Sequence, residues 1–420
     1  MTATITDEEA LPGGPAEPRD GRAPWWRRAL DAYLYGNPFV VTVLSFIVAL
    51  VFGAILIALA DQPTRDSLGY FFQHPTDTFS SAWSAISAGY SALFRGSVFD
   101  TNSLYSNGGT PILYPISGTL VNAAPLILGG LSVTVAFRTG LFNIGVQGQL
   151  IIGAICAGYV GFTWHMPAGI HVIVALLAGT LGGAIWGGIV GLLKAKTGAH
   201  EVVTTIMLNY VAYYLLGYLL TVKGFQAPHQ TEATSPHVDG SARLPVLFQQ
   251  VHWGLIIALA AAVACWWLLS RSTLGFSLRA IGANAFAART AGMKVERGFI
   301  TVMVIAGALA GLVGCSQALG TRQVVTQDVD AALGFDSITV ALLGRGTPLG
   351  TVLAGLLFGA FRSGAVVMQA ETSTPTDLVG VIESVMVLFI AAPALVRGMF
   401  RLREARGGAG AAALARGWNA

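Results

Sequence analysis

Residues 271–297 read RSTLGFSLRAIGANAFAARTAGMKVER, a polar stretch between the apolar runs 252–270 and 299–319. It holds Arg271, Arg279, Arg289, Lys294 and Arg297 in a chain that is only 11% charged. Its middle carries the start and stop signals of a short helix. Asn284 is a helix N-cap type, Ala285 to Ala291 are mostly helix-favouring, and Gly292 can close the turn in the left-handed conformation. A chain that gathers its few charges around a short capped helix presents that helix to a partner, and the expectation here is a docking site for a separate motor protein.

Outward from this loop the chain is apolar. Of 420 residues 54% are hydrophobic, and the mean hydropathy is +0.65. Soluble domains carry about 25% charge, so the composition predicts an all-α integral membrane protein. A crossing needs about 20 apolar residues. Candidates are 38–60, 119–137, 141–163, 170–193, 202–221, 252–270, 299–319, 328–344, 348–369 and 377–396, with 328–344 weakened by Asp328, Asp330 and Asp336. With the N-terminus inside, lysines and arginines divide eighteen inside to five outside, with Arg362 left within a span. That bias predicts ten transmembrane helices with both termini cytoplasmic. Residues 1–37 read as a disordered cytoplasmic tail with an interfacial anchor at Trp25-Trp26-Arg27-Arg28, residues 38–397 as the transmembrane domain, and 398–420 as a basic cytoplasmic tail. The first apolar run is too long for the core of a cleavable signal. The net charge of +3 is too small to argue for nucleic acid, and the bilayer is the expected surroundings. Cys156, Cys265 and Cys315 fall in apolar runs and make neither a disulfide framework nor a metal pattern.

Two outer segments are long. In 61–118, Trp83, Ile86, Tyr90 and Phe94 recur at helical spacing and predict an amphipathic helix on the outer face. The segment 222–251 holds His229, Pro236 and His237 among Thr, Ser and Gln, the composition of a solvated loop. Glycines repeat every fourth residue at 179, 183, 187 and 191, and again at 307 and 311. That ladder predicts close backbone crossings.

Polar groups at depth need partners or water. Asn143, Gln147 and Gln149 lie in GLFNIGVQGQL, where Gly140, Gly145 and Gly148 predict a break or bend. Thr205 and Asn209 form a second i, i+4 pair, and Glu201 sits before them at the positive end of the helix. With Asp336, these are candidate pathway-lining residues, although interhelical hydrogen bonding would explain the same pattern. Arg362 and Glu383 lie at similar depth on either side of the turn near Pro375, which predicts an intramembrane ion pair.

Chemical motifs are missing. No G-x-x-x-x-G-K-[ST] loop, G-x-S-x-G or HExxH occurs. The chain is therefore not expected to be an enzyme or to hold a cofactor or metal. ATP would have to be hydrolysed by another polypeptide. The rival reading is a secondary transporter or channel driven by an ion gradient, for which Glu383 and Asp336 are the mid-span acids available.

Four blocks resemble a known family: GLSVTVAFRTGLFNIGVQGQLIIGA (130–154), HEVVTTIMLNYVA (200–212), RAIGANAFAARTAGM (279–293) and GFDSITVALLGRGTPLGTVLAGLLFGA (334–360). They are similar to permease subunits of bacterial ABC importers for simple sugars, nucleosides and branched-chain amino acids, most of all the nucleoside type. The resemblance spans about 38–397, and GYSALFRGS (89–97) matches the nucleoside-like branch. It implies a ten-span fold like that of vitamin B12 importer permeases, in a bacterial plasma membrane. It also implies a second permease subunit, a paralogue rather than a self-copy, with two cytoplasmic ATPases and an extracytoplasmic solute-binding lipoprotein. It places the ATPase-contacting helix at Ala280 to Gly292, with Gly282, Asn284, Ala288 and Gly292 on the family pattern. The implied solute is a nucleoside, with a simple sugar next.

Overall fold

The computed structural model describes residues 38–100, 114–228, 232–392, 395–396 and 399–400. The tail 1–37 with its Trp25–Arg28 segment, residues 101–113, His229 and the tail from 401 lie outside them. The chain divides into two units, residues 45–392 and residues 1–44 with 393–420. In the second unit the described chain is the start of the first helix and four residues after 394. All contacts below belong to the first.

The named elements of the described chain are helices apart from a two-stranded antiparallel hairpin, β1 Val246–Phe248 and β2 Val251–His252. Helix α1 is Pro38–Ala60, α2 Gln62–Leu68 and α3 Pro75–Ser97. Then come α4 Tyr114–Phe137, α5 Val146–Thr163, α6 Ile170–Thr197, α7 Glu201–Leu219 and α8 Gly254–Arg271. Two short helices follow, α9 Thr273–Ala283 and α10 Ala285–Thr290. Helix α11 is Val295–Cys315, continued by a π-helical turn at Ser316–Thr321, and α12 is Leu333–Leu343. The last two are α13 Pro348–Thr372 and α14 Thr376–Ala391.

Among the described residues, eight helices are long and apolar enough to cross a membrane: α1, α4 to α8, α11 with its π-helical turn, and α13. The remaining two expected spans are short. Helix α12 has 11 residues and α14 has 16. At 1.5 Å per residue, 11 residues reach only about half of the ~30 Å hydrocarbon layer. The reason lies at Ala331 and Ala332, whose φ angles of +43° and +60° put two successive alanines in the left-handed region. The chain turns there, and the helix can begin only at Leu333.

Helix α4 is the central post, buried from Ala123 through Ala136 and apolar there apart from Ser132 and Thr134, as a helix surrounded by others must be. It packs against α8, α11, α12 and α13. Helices α6 and α11 meet through the glycine ladders, which run antiparallel and in register. A Cβ on Gly183 would lie 2.3 Å from the Gly307 carbonyl oxygen, and one on Gly311 2.4 Å from the Gly179 oxygen. Only glycine lets two backbones approach so closely.

Helix α3 packs through small residues. Gly89, Ala92 and Gly96 are buried, whereas Trp83 and Phe94 of the expected aromatic stripe are exposed. A Cβ on Gly96 would strike Val367 of α13, so here too the close contact is made by glycine and not by aromatics. In the hairpin, His252 is buried, accepts at Nδ1 from the Gly254 N–H at 3.1 Å, and has Nε2 3.2 Å from the Thr321 hydroxyl. Burial holds this imidazole below its ordinary value of 6.5.

Candidate functional site

The loop between α8 and α11 folds as its sequence dictates. The Ser272 hydroxyl caps α9 by accepting from the Gly275 N–H at 2.9 Å. Asn284 is extended at φ −163°, and its Oδ1 accepts from the Ala287 N–H at 3.0 Å, which starts α10. Gly292 has φ +83°, and the Met293 N–H returns to the Ala288 carbonyl at 3.0 Å, closing the helix end. Ala288 is 4% exposed and packs with Ile281 and Val295, so its side chain faces the chain's own loop. Phe286 is 83% exposed. Sequence reasoning passes over it, although it is the only large apolar side chain between Asn284 and Gly292.

Gly282 ties this loop to the bundle. A Cβ there would lie 2.6 Å from the Arg138 carbonyl oxygen and 2.9 Å from the Thr139 Cα, both in the turn between α4 and α5. Arg138 in turn donates from Nε to the Gly346 oxygen at 2.7 Å, in the turn between α12 and α13. Three connections thus meet at one end of the bundle.

Beyond Arg138 the chain runs irregularly to Gly145, as its glycines predict, and a closed polar network holds it. Asn143 donates to the Ser132 hydroxyl at 3.2 Å and to Gln149 Oε1 at 2.9 Å. It accepts from the Gly145 N–H at 3.1 Å and from Gln149 Nε2 at 3.1 Å. Asn209 clamps the start of α5 from α7, accepting from the Gly148 N–H at 2.8 Å and donating to the Ile144 oxygen at 3.0 Å. Thr205 returns its hydroxyl to the Glu201 oxygen at 2.8 Å, and the Glu201 carboxylate pairs with Lys194 at 2.8 Å. Asn143, Gln149, Thr205 and Asn209 are all buried. Half-buried Gln147 donates to Asp330 at 2.8 Å, just before the left-handed turn at Ala331.

A cavity of about 650 Å³ opens between α4, α12, α13 and α14. Asn122, Ala331, Asp336, Phe358, Arg362 and Glu383 line it, along with other residues of these helices. Of the candidate pathway residues Asp336 reaches it, and Asn143, Gln147, Gln149, Thr205 and Asn209 do not. The expected Arg362–Glu383 ion pair is not formed. Arg362 pairs with Asp336 and also donates to the Ala331 oxygen at 2.9 Å. Counting residues from the turn gives depth but not direction, and the short α12 places a nearer carboxylate in front of the guanidinium. Glu383 is 7% exposed, and its Oε1 has no hydrogen-bond partner among the described residues.

Residues 116–391 match the family described as branched-chain amino acid transport system / permease component. The guanosine ABC transporter permease protein NupP of Bacillus subtilis is 39% identical over 74% of this chain and 88% of its own length. The glucose ABC transporter permease protein TsgB13 of Haloferax volcanii is 32% identical over 87% of this chain and 89% of its own. A second permease of B. subtilis, the guanosine ABC transporter permease protein NupQ, is 28% identical over 60% of this chain and 82% of its own. No solved structure matches.

Proposed function

The chain belongs to the family of branched-chain amino acid transport system permease components, and from that membership we propose that it forms the translocation pathway for a nucleoside. It is a multi-pass membrane protein and a permease subunit of an ABC transporter. In the proposed arrangement α12 and α14 complete ten crossings of a bacterial plasma membrane, with both termini cytoplasmic and a fold like that of vitamin B12 importer permeases. Two separate ATPases supply the energy and an extracytoplasmic lipoprotein receptor delivers solute. Nucleoside is favoured over simple sugar by the 39% identity to a guanosine permease, against 32% to a glucose permease. A paralogous second permease is favoured because B. subtilis holds two distinct guanosine permeases that both match this chain.

The observation that carries the reading is the capped helix α10. It presents Phe286 outward while Gly282, at the end of α9, sits on the Arg138–Gly140 turn. Phe286 fills a groove on the ATPase, and Asn284 and Gly292 fix the helix that carries it. Ala288 holds the loop together from within. When ATP closes the two ATPases, the loop moves. The Arg138 turn then passes the displacement to α5 through the Asn143 elbow, and to α12 and α13 through Gly346. Only a difference in ATPase affinity between the two permease states can drive such a switch.

Co-purification with the ATPase tests this. Truncating a buried aromatic anchor costs about 2 kcal/mol or more, so Phe286→Glu lowers ATPase recovery at least about tenfold while the chain remains folded. Unchanged recovery refutes the docking assignment. Glu383, a buried acid whose Oε1 has no partner among the described residues, is the one observation that favours an ion-driven transporter. That reading requires uptake to follow an imposed ion gradient without ATP.

A further inference from the structure

The geometry points to Glu383 as the residue that selects the solute inside the cavity, by accepting hydrogen bonds from N–H or O–H donors on a polar molecule that is not an anion. The assignment rests on the permease reading above. A carboxyl oxygen accepts hydrogen bonds, and one buried without a donor is unfavourable unless something supplies it. Glu383 is only 7% exposed, and Oε1 meets no donor among the described residues. The nearby cation that could satisfy it, Arg362, is already held by Asp336 and by the Ala331 oxygen.

The remaining lining narrows the ligand. The Arg362–Asp336 pair is neutral, and Glu383 with Asp377 leaves the lining acidic, which disfavours an anion. Asn122 donates to the Gly118 oxygen at 3.0 Å and leaves its Oδ1 as a further acceptor. Val366 and Val381 give apolar wall. A cavity of about 650 Å³ is of the size that holds small molecules. The occupant is therefore not an anion, is rich in donors and has an apolar face, and a nucleoside is of this class. Its donors come either from the base edge or from the ribose hydroxyls.

The test uses the whole transporter, this chain assembled with its partner permease, ATPases and receptor in proteoliposomes. Maximal uptake rates are measured at saturating guanosine, inosine, which lacks the 2-amino donor, and 2′-deoxyguanosine, which lacks one ribose hydroxyl. Assembly is checked by co-purification. Saturation removes the receptor's own affinity from the comparison. Glu383→Gln should lower the guanosine rate at least about tenfold, the loss of one buried hydrogen bond to the carboxyl group. It should lower the rate several-fold less for whichever analogue lacks the donor that Glu383 reads, and Glu383→Asp should restore part of the preference. A fall confined to guanosine and deoxyguanosine assigns the base edge, and one confined to guanosine and inosine assigns the ribose. Equal rates in wild type and Glu383→Gln overturn the assignment. So does a uniform loss that tracks loss of assembled complex. A wild-type transporter that moves no nucleoside overturns the functional reading itself, before any variant is compared.

Discussion

Substituting Gly282 by alanine separates docking from transport. The added methyl would lie 2.6 Å from the Arg138 carbonyl oxygen, 2.8 Å from the Thr139 carbonyl carbon and 2.9 Å from its Cα. All three are backbone atoms, so no rotamer change relieves the contact. Ordinary contact begins near 3.4 Å, so the end of α9 must move away from the α4–α5 turn by about 0.8 Å (3.4 − 2.6). Overpacking of this kind costs roughly 1–3 kcal/mol. If the contact is tighter in one permease state than in the other, the cost falls unequally on them. A difference of 1–3 kcal/mol between states corresponds to about 5- to 150-fold in their equilibrium. Phe286 is untouched, so ATPase binding should stay within about twofold of wild type. The assay is uptake per assembled transporter in proteoliposomes, with ATPase stoichiometry measured on the same sample. A drop of at least about fivefold in uptake at unchanged stoichiometry is expected. Uptake equal to wild type would show that the Gly282 contact does not change between states, and the coupling route through Arg138 would be wrong.

Gly183→Ala in α6 places a methyl 2.3 Å from the Gly307 oxygen and should lower the thermal midpoint of the purified chain, at a cost of about 1–3 kcal/mol. Gly380→Ala in α14 meets nothing within 4 Å and should leave the midpoint unchanged or raise it, because alanine is favoured over glycine in a helix by about 0.5–1 kcal/mol. Equal behaviour of the two refutes the ladder packing. Acidification should destabilise the chain through His252. Its folded pKa is depressed below 6.5, so the unfolded chain binds the proton more readily, and this contribution is full above 6.5 and declines as pH falls from there toward the folded value. Protonation would also turn Nδ1 into a donor facing the Gly254 N–H. Thermal midpoints at pH about 7.5 and about 5.5, either side of the ordinary imidazole value, should differ less for His252→Gln than for wild type. An equal difference in both assigns the pH response to other groups.

What the sequence makes legible is what depends on neighbours along the chain. Asn284 and Gly292 announce α10 because a cap and a left-handed closure act within one turn. The glycines of α6 announce a close crossing because their four-residue spacing is the helix's own geometry, and Gly140 and Gly145 announce the break before α5 in the same way. What depends on direction in space is not legible. Polar residues at depth signal that partners are needed, but not whether solute or protein supplies them, and Asn143 and Gln149 satisfy each other. Ala288 suggests a partner-facing position because it is small, yet small residues also fill a helix's own inner face. Depth alone matches Arg362 to Glu383. Asp336 intervenes because Ala331 and Ala332 adopt left-handed angles that alanine does not advertise. In α3 the aromatic stripe is conspicuous in the sequence, but the contact with α13 is made by Gly96.

ATP-driven movement of a nucleoside, powered by subunits docked to this chain, is what the proposed function requires. The most direct measurement is uptake of radiolabelled guanosine into proteoliposomes holding the assembled transporter with its receptor, with hydrolysable ATP present or absent at the ATPase face and no ion gradient imposed. Accumulation that requires ATP and the receptor, and that disappears with Phe286→Glu, is the predicted result. Accumulation without ATP that follows an imposed proton or sodium gradient would contradict it.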